Sequence, residues 1–156
     1  MKSVWFDAEI ISAVKSIENE IIEDACQLVT QEAKDSMVEG AYKRSLSKKG
    51  DGSYHWSSSP GTPPAPDTEA LKDSISYAIS GGKTGGLGPK SEVDGIDAPV
   101  YGANTNLAVG RIGTNDAVGL FQELGTRISQ GKRPFLRPAL YKKEKEILGL
   151  ADKHKI

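Results

Sequence analysis

The stretch from residue 8 to about residue 38 constrains the fold more than any other part of the sequence. Apolar residues recur in it in steps of three and four, at Ile10, Val14, Ile17, Ile21, Ala25 and Leu28. This spacing predicts an amphipathic helix, which Gly40 is placed to end. About 31 residues at 1.5 Å each give a rod on the order of 45 Å, longer than a domain of this size needs. We therefore expect part of the helix to project or to pack on a neighbouring molecule.

Two polar stretches rich in glycine, serine and proline follow. The first runs from Gly40 to Pro66 and the second from Gly81 to Asp97. Such stretches bury little apolar surface, so we predict flexible loops near 40–66 and 81–97. Both lie in a chain of 156 residues, a length at which one core suffices, and we predict a single domain over residues 1–156.

Short strand signals lie between and after these loops. We predict strands near residues 76–80, 99–103 and 107–114, with the last two joined as a hairpin by an Asn-Thr-Asn turn. Small residues alternate along the last strand, so a helix can approach one of its faces closely.

Two shorter helices complete the prediction. Asp116 is placed to cap a helix that ends at Gly125, and Ala117, Leu120, Phe121 and Leu124 share one of its faces. The last helix begins near Leu136. Four of its residues follow helical spacing, namely Leu140, Glu144, Ile147 and Ala151. The expected fold class is α+β: a long N-terminal amphipathic helix packed on a small antiparallel sheet of three to four strands, with two shorter helices.

Catalytic and cofactor chemistry is not predicted. The single cysteine, Cys26, excludes an internal disulfide, and we expect it to be a buried apolar residue. Gly82-Lys83-Thr84 lacks the spacing of a phosphate-binding loop, and the two histidines have no zinc-site spacing. We predict no catalytic residue, no cofactor and no metal, and therefore no enzyme. The sequence has no apolar run of membrane-spanning length, so we expect no membrane partner.

The charges divide unevenly along the chain. Residues 1–39 carry nine acidic and three basic side chains, and the remainder has a net charge of +5. Solvated faces are the simpler interpretation, and charge-matched contacts between subunits are the alternative. A late basic cluster predicts at most weak nonspecific contact with DNA, and its members are Arg127, Lys132, Arg133, Arg137, Lys142, Lys143 and Lys145.

Three motifs between Ser59 and Leu140 carry the most specific signal. In order they are Ser59-Pro60-Gly61-Thr62-Pro63-Pro64 with Asp67-Thr68-Glu69-Ala70-Leu71-Lys72-Asp73-Ser74-Ile75, then Glu123-Leu124-Gly125-Thr126, then Arg133-Pro134-Phe135-Leu136-Arg137-Pro138-Ala139-Leu140. In this order and spacing they resemble the signature of phage head-tail joining proteins, the HK-ninety-seven gene-product-ten-like group. The sequence departs from that signature at Glu69, where the family usually has glycine, and at Leu124, where it usually has an aromatic residue.

The resemblance implies a structural phage morphogenesis protein of the neck, a head-tail joining or tail-completion component. Such a protein assembles as a homo-oligomeric ring, contacts other neck and tail proteins, and lets DNA pass through the channel. It is found in the virion, and in the bacterial host cytoplasm during assembly. The candidate residues for partner or subunit contacts are Pro60, Pro63, Pro64, Glu123, Thr126, Arg133, Phe135 and Arg137. For each of them the alternative is that it holds the domain together.

Two other functions remain open at this point. A tail-terminator ring protein that caps the tail tube belongs to the same assembly. A DNA-binding accessory protein that uses the late basic cluster belongs to a different class. It predicts duplex binding that weakens steeply with salt.

Overall fold

A computed structural model of the chain describes residues 7–38, 44–48, 51–65, 69–79, 84–85, 108–114, 116–125 and 131–154. Its first element, α1, is an α-helix over Asp7–Ser36. The 30 residues of α1 give a rod about 45 Å long. The predicted long N-terminal helix is therefore confirmed. Gly40, the residue predicted to end it, lies outside the described residues.

An antiparallel hairpin lies within the first predicted loop. Its strands are β1, Arg44–Lys48, and β2, Tyr54–Ser58, which pair along their whole lengths. The Asp51 carboxylate accepts hydrogen bonds from the backbone N–H and the hydroxyl of Ser53, at 2.8 and 2.6 Å. Gly52 between them has φ +87°, a conformation that favours glycine. The structure differs here from the predicted loop because the strands are mostly polar and give little hydrophobic alternation.

A second antiparallel sheet begins directly after a short helix. Helix α2 covers Ala70–Ser74 and leads without a break into β3, Ile75–Ile79. The central strand β3 lies between the two-residue β4, Thr84–Gly85, and β5, Gly110–Thr114. The hydroxyls of Ser74 and Thr114 are hydrogen-bonded to each other, which joins the end of α2 to the end of β5.

The long helix packs across β3 and β5. Alternate residues of β3 are buried, namely Ile75, Tyr77 and Ile79. At the start of β5, a Cβ atom on Gly110 would collide with the thiol of Cys26 and would lie 2.8 Å from a methyl carbon of Ile22. The close approach of a helix to this strand, predicted from its small residues, is therefore confirmed.

Helix α3 covers Ala117–Leu124 and has the predicted ends. The Asp116 carboxylate accepts a hydrogen bond from the Val118 backbone N–H at 2.8 Å, so Asp116 is the N-cap. Gly125 has φ +77°, and its N–H donates to the Phe121 carbonyl at 2.9 Å. Both local signals therefore predicted the helix correctly.

Helix α4 covers Leu136–Lys153 and lies along α1. Its fully buried residues are Ala139 and Leu150, with Leu136 and Ile147 packed partly against the core. Of the residues predicted at helical spacing, Ile147 packs against the core. The other three, Leu140, Glu144 and Ala151, are exposed, because α4 is rotated so that Ala139 faces α1. Local spacing did not fix that rotation, which depends on how α4 is anchored at its first turn.

The architecture is a mixture of helix and sheet, as predicted. A single sheet of three to four strands is not confirmed, because the strands divide between the β1–β2 hairpin and a second sheet in which only β3 and β5 have five residues. The strand predicted near residues 99–103 lies outside the described residues.

Candidate functional site

The three sequence motifs meet in space at one place, which we name the motif junction. It consists of residues 58–64, 122–125 and 131–137. The Gly61 N–H donates to the Lys132 carbonyl at 2.7 Å, and the Arg133 N–H donates to the Gln122 carbonyl at 2.7 Å. Backbone hydrogen bonds therefore join the proline-rich arm to the segment before α4, and join that segment to the end of α3.

The proline-rich arm begins with a tight turn. The Thr62 N–H and hydroxyl both donate to the Ser59 carbonyl, at 3.2 and 2.6 Å, and Gly61 has φ +85°. Proline followed by a glycine of positive φ is typical of a type II turn. The turn leaves Pro60 exposed, and beyond it Pro63 is half-buried and Pro64 is buried.

Arg133 is buried in the junction, with only 8% of its surface exposed. Its Nε donates to the Ser58 carbonyl at 2.8 Å, so the guanidinium holds the end of β2. A hydrogen bond from a charged group contributes about 1.5–3 kcal/mol. Arg133 was predicted as an interface residue, and the structure instead places its side chain inside the chain, where it joins the motifs together.

Phe135 is fully buried and belongs to the core. It packs in one cluster with residues of α1, β3 and α4, namely Val29, Ala33, Met37, Ile75 and Ala139. A side chain without exposed surface cannot contact a partner, so the structure corrects Phe135 from an interface residue to a core residue. Through Ile75 and Ala139 it joins β3 to α4.

The Glu123 carboxylate caps the N-terminus of α4. One oxygen, Oε2, accepts from the backbone N–H groups of Phe135 and Leu136 at 2.8 and 3.0 Å, and Oε1 accepts from Arg137 at 3.1 Å. The next residue, Pro138, has no N–H. Because the first N–H groups of a helix have no partner within it and carry partial positive charge, an anion is favoured there. Glu123, predicted at an interface, therefore has a structural partner within the chain.

Gly131 belongs to the junction and was missed in the sequence. It has φ +114°, and a Cβ atom there would lie 2.8 Å from Cβ of Pro60. Both its conformation and its surroundings therefore exclude a side chain. The only sequence signal was a glycine shortly before the Arg-Pro pair, too weak to single it out.

The predicted interface residues thus fall into three groups. Arg133, Phe135 and Pro64 are buried, and Glu123 is occupied by α4. Pro60 and Arg137 are exposed and Pro63 is half-buried, so these three have surface that a partner could contact. Thr126 lies outside the described residues.

Cys26 is buried where α1 meets β5, as predicted. Burial, together with the nearby Glu23 carboxylate, raises the pKa of its thiol to about 11. The thiolate, which is the nucleophilic form, is thus scarce at neutral pH. Within the described ranges no group of three or more His, Cys, Asp and Glu residues is arranged to hold a metal ion.

The late basic cluster is partly neutralised within the chain. Lys142 Nζ lies 2.5 Å from one carboxylate oxygen of Glu32 on α1, and Lys143 Nζ lies 3.8 Å from the other. Lys143 also pairs with Glu146 at 2.8 Å, and this hydrogen bond is the main cause of the raised pKa of Lys143. The acidic and basic parts of the sequence therefore contact each other in the same molecule.

A groove runs between α1 and α4 beside Tyr77. Its charged lining residues are two acids and two lysines, namely Asp24, Glu146, Lys34 and Lys153. Because its acidic and basic residues are equal in number, the charge of the groove does not favour a ligand of either sign.

The comparisons with known proteins give no relative: no family model, curated protein or solved structure matches the chain. In the part of the chain that the structure covers, none of the helices combines the length and the apolar character needed to cross a membrane.

Proposed function

We propose that this chain is a structural protein of the neck of a tailed bacteriophage. It is a head-tail joining or tail-completion component that assembles as a ring at the head-tail interface, and it is not an enzyme. Its partners are further copies of itself and other neck and tail proteins, with DNA passing through the channel.

The observation that carries the proposal is the motif junction. The first of the motifs behind the resemblance lies more than 40 residues before the other two. Backbone hydrogen bonds nevertheless join Gly61 to Lys132, directly before the third motif, and Arg133 to Gln122, directly before the second. Short motifs that matched by chance would have no reason to meet in space. Motifs inherited with a fold are expected to meet, because the contacts between them maintain that fold.

The junction also supports a structural role in a physical way. Arg133 Nε and the Glu123 carboxylate both form hydrogen bonds with backbone groups of the same chain. Such a network fixes the relative positions of the arm, α3 and α4, and function then lies in the surface that they present.

The DNA-binding alternative receives less support from the basic cluster. Arg133 is buried, and Lys142 and Lys143 are paired with Glu32. The remaining described members of the cluster, Lys132, Arg137 and Lys145, are too few for a strong phosphate-binding surface.

The test is electron microscopy of particles made by the encoding phage after deletion of this gene. Filled heads beside separate tails of normal length support a joining role, and restoration by the wild-type gene in trans is the control. Normal virions would refute the proposal. Tails of uncontrolled length would instead assign the chain to the tail terminator, because a tube without its cap continues to grow.

A further inference from the structure

Helix α3 exposes its apolar side chains instead of burying them. Four of its eight residues are large and apolar and are between 46% and 52% exposed, namely Val118, Leu120, Phe121 and Leu124. We call this set the outward face of α3. The side of α3 that packs on the domain is marked by Gly119, where a Cβ atom would collide with Thr114 and lie 3.0 Å from Leu71. A contiguous apolar surface on a helix held in this orientation is typical of an interaction site.

A second surface with exposed apolar area lies on the first half of α1. Residues 13–16, which make one full turn of the helix, are all exposed, so α1 projects from the domain on every side at this point. Val14 is 42% exposed within that turn. It belongs to the apolar line Ile10, Val14, Ile17 and Ile21 in the sequence. Helices depend on packing of their apolar face for stability, and at Val14 this face is open to a partner.

The two surfaces carry opposite charge. Residues 7–21 contain four acidic side chains and one lysine. At the C-terminal end of α3, the exposed Lys132 lies beside Gly125, and the backbone of the exposed Arg137 is hydrogen-bonded to Glu123. The first half of α1 has apolar and acidic residues, and the outward face of α3 is apolar with two cations at its end. The two surfaces are therefore complementary in apolar character and in charge.

We propose that the projecting half of α1 in one copy of the chain packs on the outward face of α3 in the next copy. The partner is a second copy because each molecule carries both halves of the contact. Since the two surfaces differ, the contact is head-to-tail, and its repetition closes a ring where the rotation between copies allows. This inference rests on the proposed function, and it identifies the residues through which the ring forms.

The test uses cysteine pairs in particles of the encoding phage assembled with the variant chain. Val14→Cys combined with Leu124→Cys places one reactive thiol on each surface, while Cys26 is buried and reacts poorly. After treatment with a short bis-maleimide we expect a ladder of cross-linked oligomers. Val14→Cys with Leu120→Cys is a second pair on the same two surfaces.

Two kinds of control accompany these pairs. Each single variant should remain uncross-linked, because a head-to-tail contact does not bring identical residues together. Val14→Cys with Leu148→Cys should also stay uncross-linked. Leu148 is exposed but lies 12 residues beyond the first residue of α4, about 18 Å along that helix.

The outcomes separate this inference from the proposed function. A ladder from the paired variants alone supports it. Particles that contain the variants without any ladder overturn it and leave the proposed function intact, as does a dimer formed by Leu124→Cys alone, which would indicate a symmetric contact between α3 helices. Absence of the wild-type chain from purified particles overturns both.

Discussion

Helix α3 carries the outward face and, in its last residues, part of the motif junction, and its polar and apolar side chains have opposite roles. At the junction, the Glu123 carboxylate accepts hydrogen bonds from three backbone N–H groups at the start of α4. On the outward face, Phe121 and its apolar neighbours leave about half of their surface exposed. Polar residues thus hold this part of the molecule together, and apolar residues remain available to a neighbour.

This contrast distinguishes residues that stabilise the fold from residues that are exposed for contact with a neighbouring molecule. The motif residues Arg133 and Phe135 resemble a family signature, but they are buried and contribute to stability. Residues that contact a partner have to lie on the surface. A recurring motif can therefore identify an architecture without containing the interface.

The first way to break this comparison uses two phenylalanines. Phe135→Ala removes a fully buried ring from the core and should lower the free energy of unfolding by about 3–5 kcal/mol. Phe121→Ala on the outward face, where the ring is half exposed, should lower it by about 1 kcal/mol or less. Urea unfolding followed by circular dichroism measures both. Equal losses from the two substitutions would contradict the distinction.

The second test uses two glutamates. Glu123→Ala leaves three N–H groups at the start of α4 without their acceptor and should cost about 2–3 kcal/mol. Glu144→Ala, at an exposed position on the same helix, should change stability by no more than about 0.5 kcal/mol. Amide hydrogen exchange adds a local measurement, since the N–H groups of Phe135 and Leu136 should lose protection in Glu123→Ala alone.

Local patterns in the sequence predicted the elements that depend on local chemistry. The helical spacing fixed α1, and the Asp116 cap with Gly125 at the end fixed α3, because capping and periodicity act within a few residues. The burial of Cys26 followed from its chemistry in the same way.

Contacts between residues that are far apart in the sequence could not be predicted from such patterns. The capping role of Glu123 depends on N–H groups that lie 12 to 14 residues later in the sequence. No local pattern predicts a contact over that distance. The rotation of α4 that buries Ala139 and exposes Leu140 depends on where Phe135 is anchored in the core. The hairpin was missed because the first strand, Arg44–Lys48, has one apolar residue in five. Prediction from sequence was thus limited by tertiary context.

The third test compares two glycines and expects opposite signs. Gly131→Ala forces a side chain into φ +114° and against Pro60, and should destabilise the chain by about 1–2 kcal/mol. Gly149→Ala meets open space within α4 and should stabilise it by about 0.5–1 kcal/mol, because alanine favours a helix over glycine. Thermal unfolding should show melting temperatures that move in opposite directions. A neutral Gly131→Ala would show that the arm is not held tightly at Pro60.

The last test extends the comparison to α1, whose exposed turn at residues 13–16 contrasts with its buried Cys26, and its effect is seen only at alkaline pH. Burial and the Glu23 carboxylate raise the pKa of the Cys26 thiol from 9.0 to about 11. The folded state therefore holds this proton more tightly than the unfolded state does. The resulting stability is fully present below pH 9 and is lost as the pH rises towards 11.

Cys26→Ser keeps a side chain of similar size that does not ionise in this range, so it isolates the effect. The difference in unfolding free energy between wild type and Cys26→Ser should be constant below pH 9 and should shift against the wild type between pH 9 and about pH 11. The other ionisable groups are the same in both proteins, so their contributions cancel in the difference. Parallel stability curves up to pH 11 would mean that Cys26 is as solvated as a residue on the projecting half of α1.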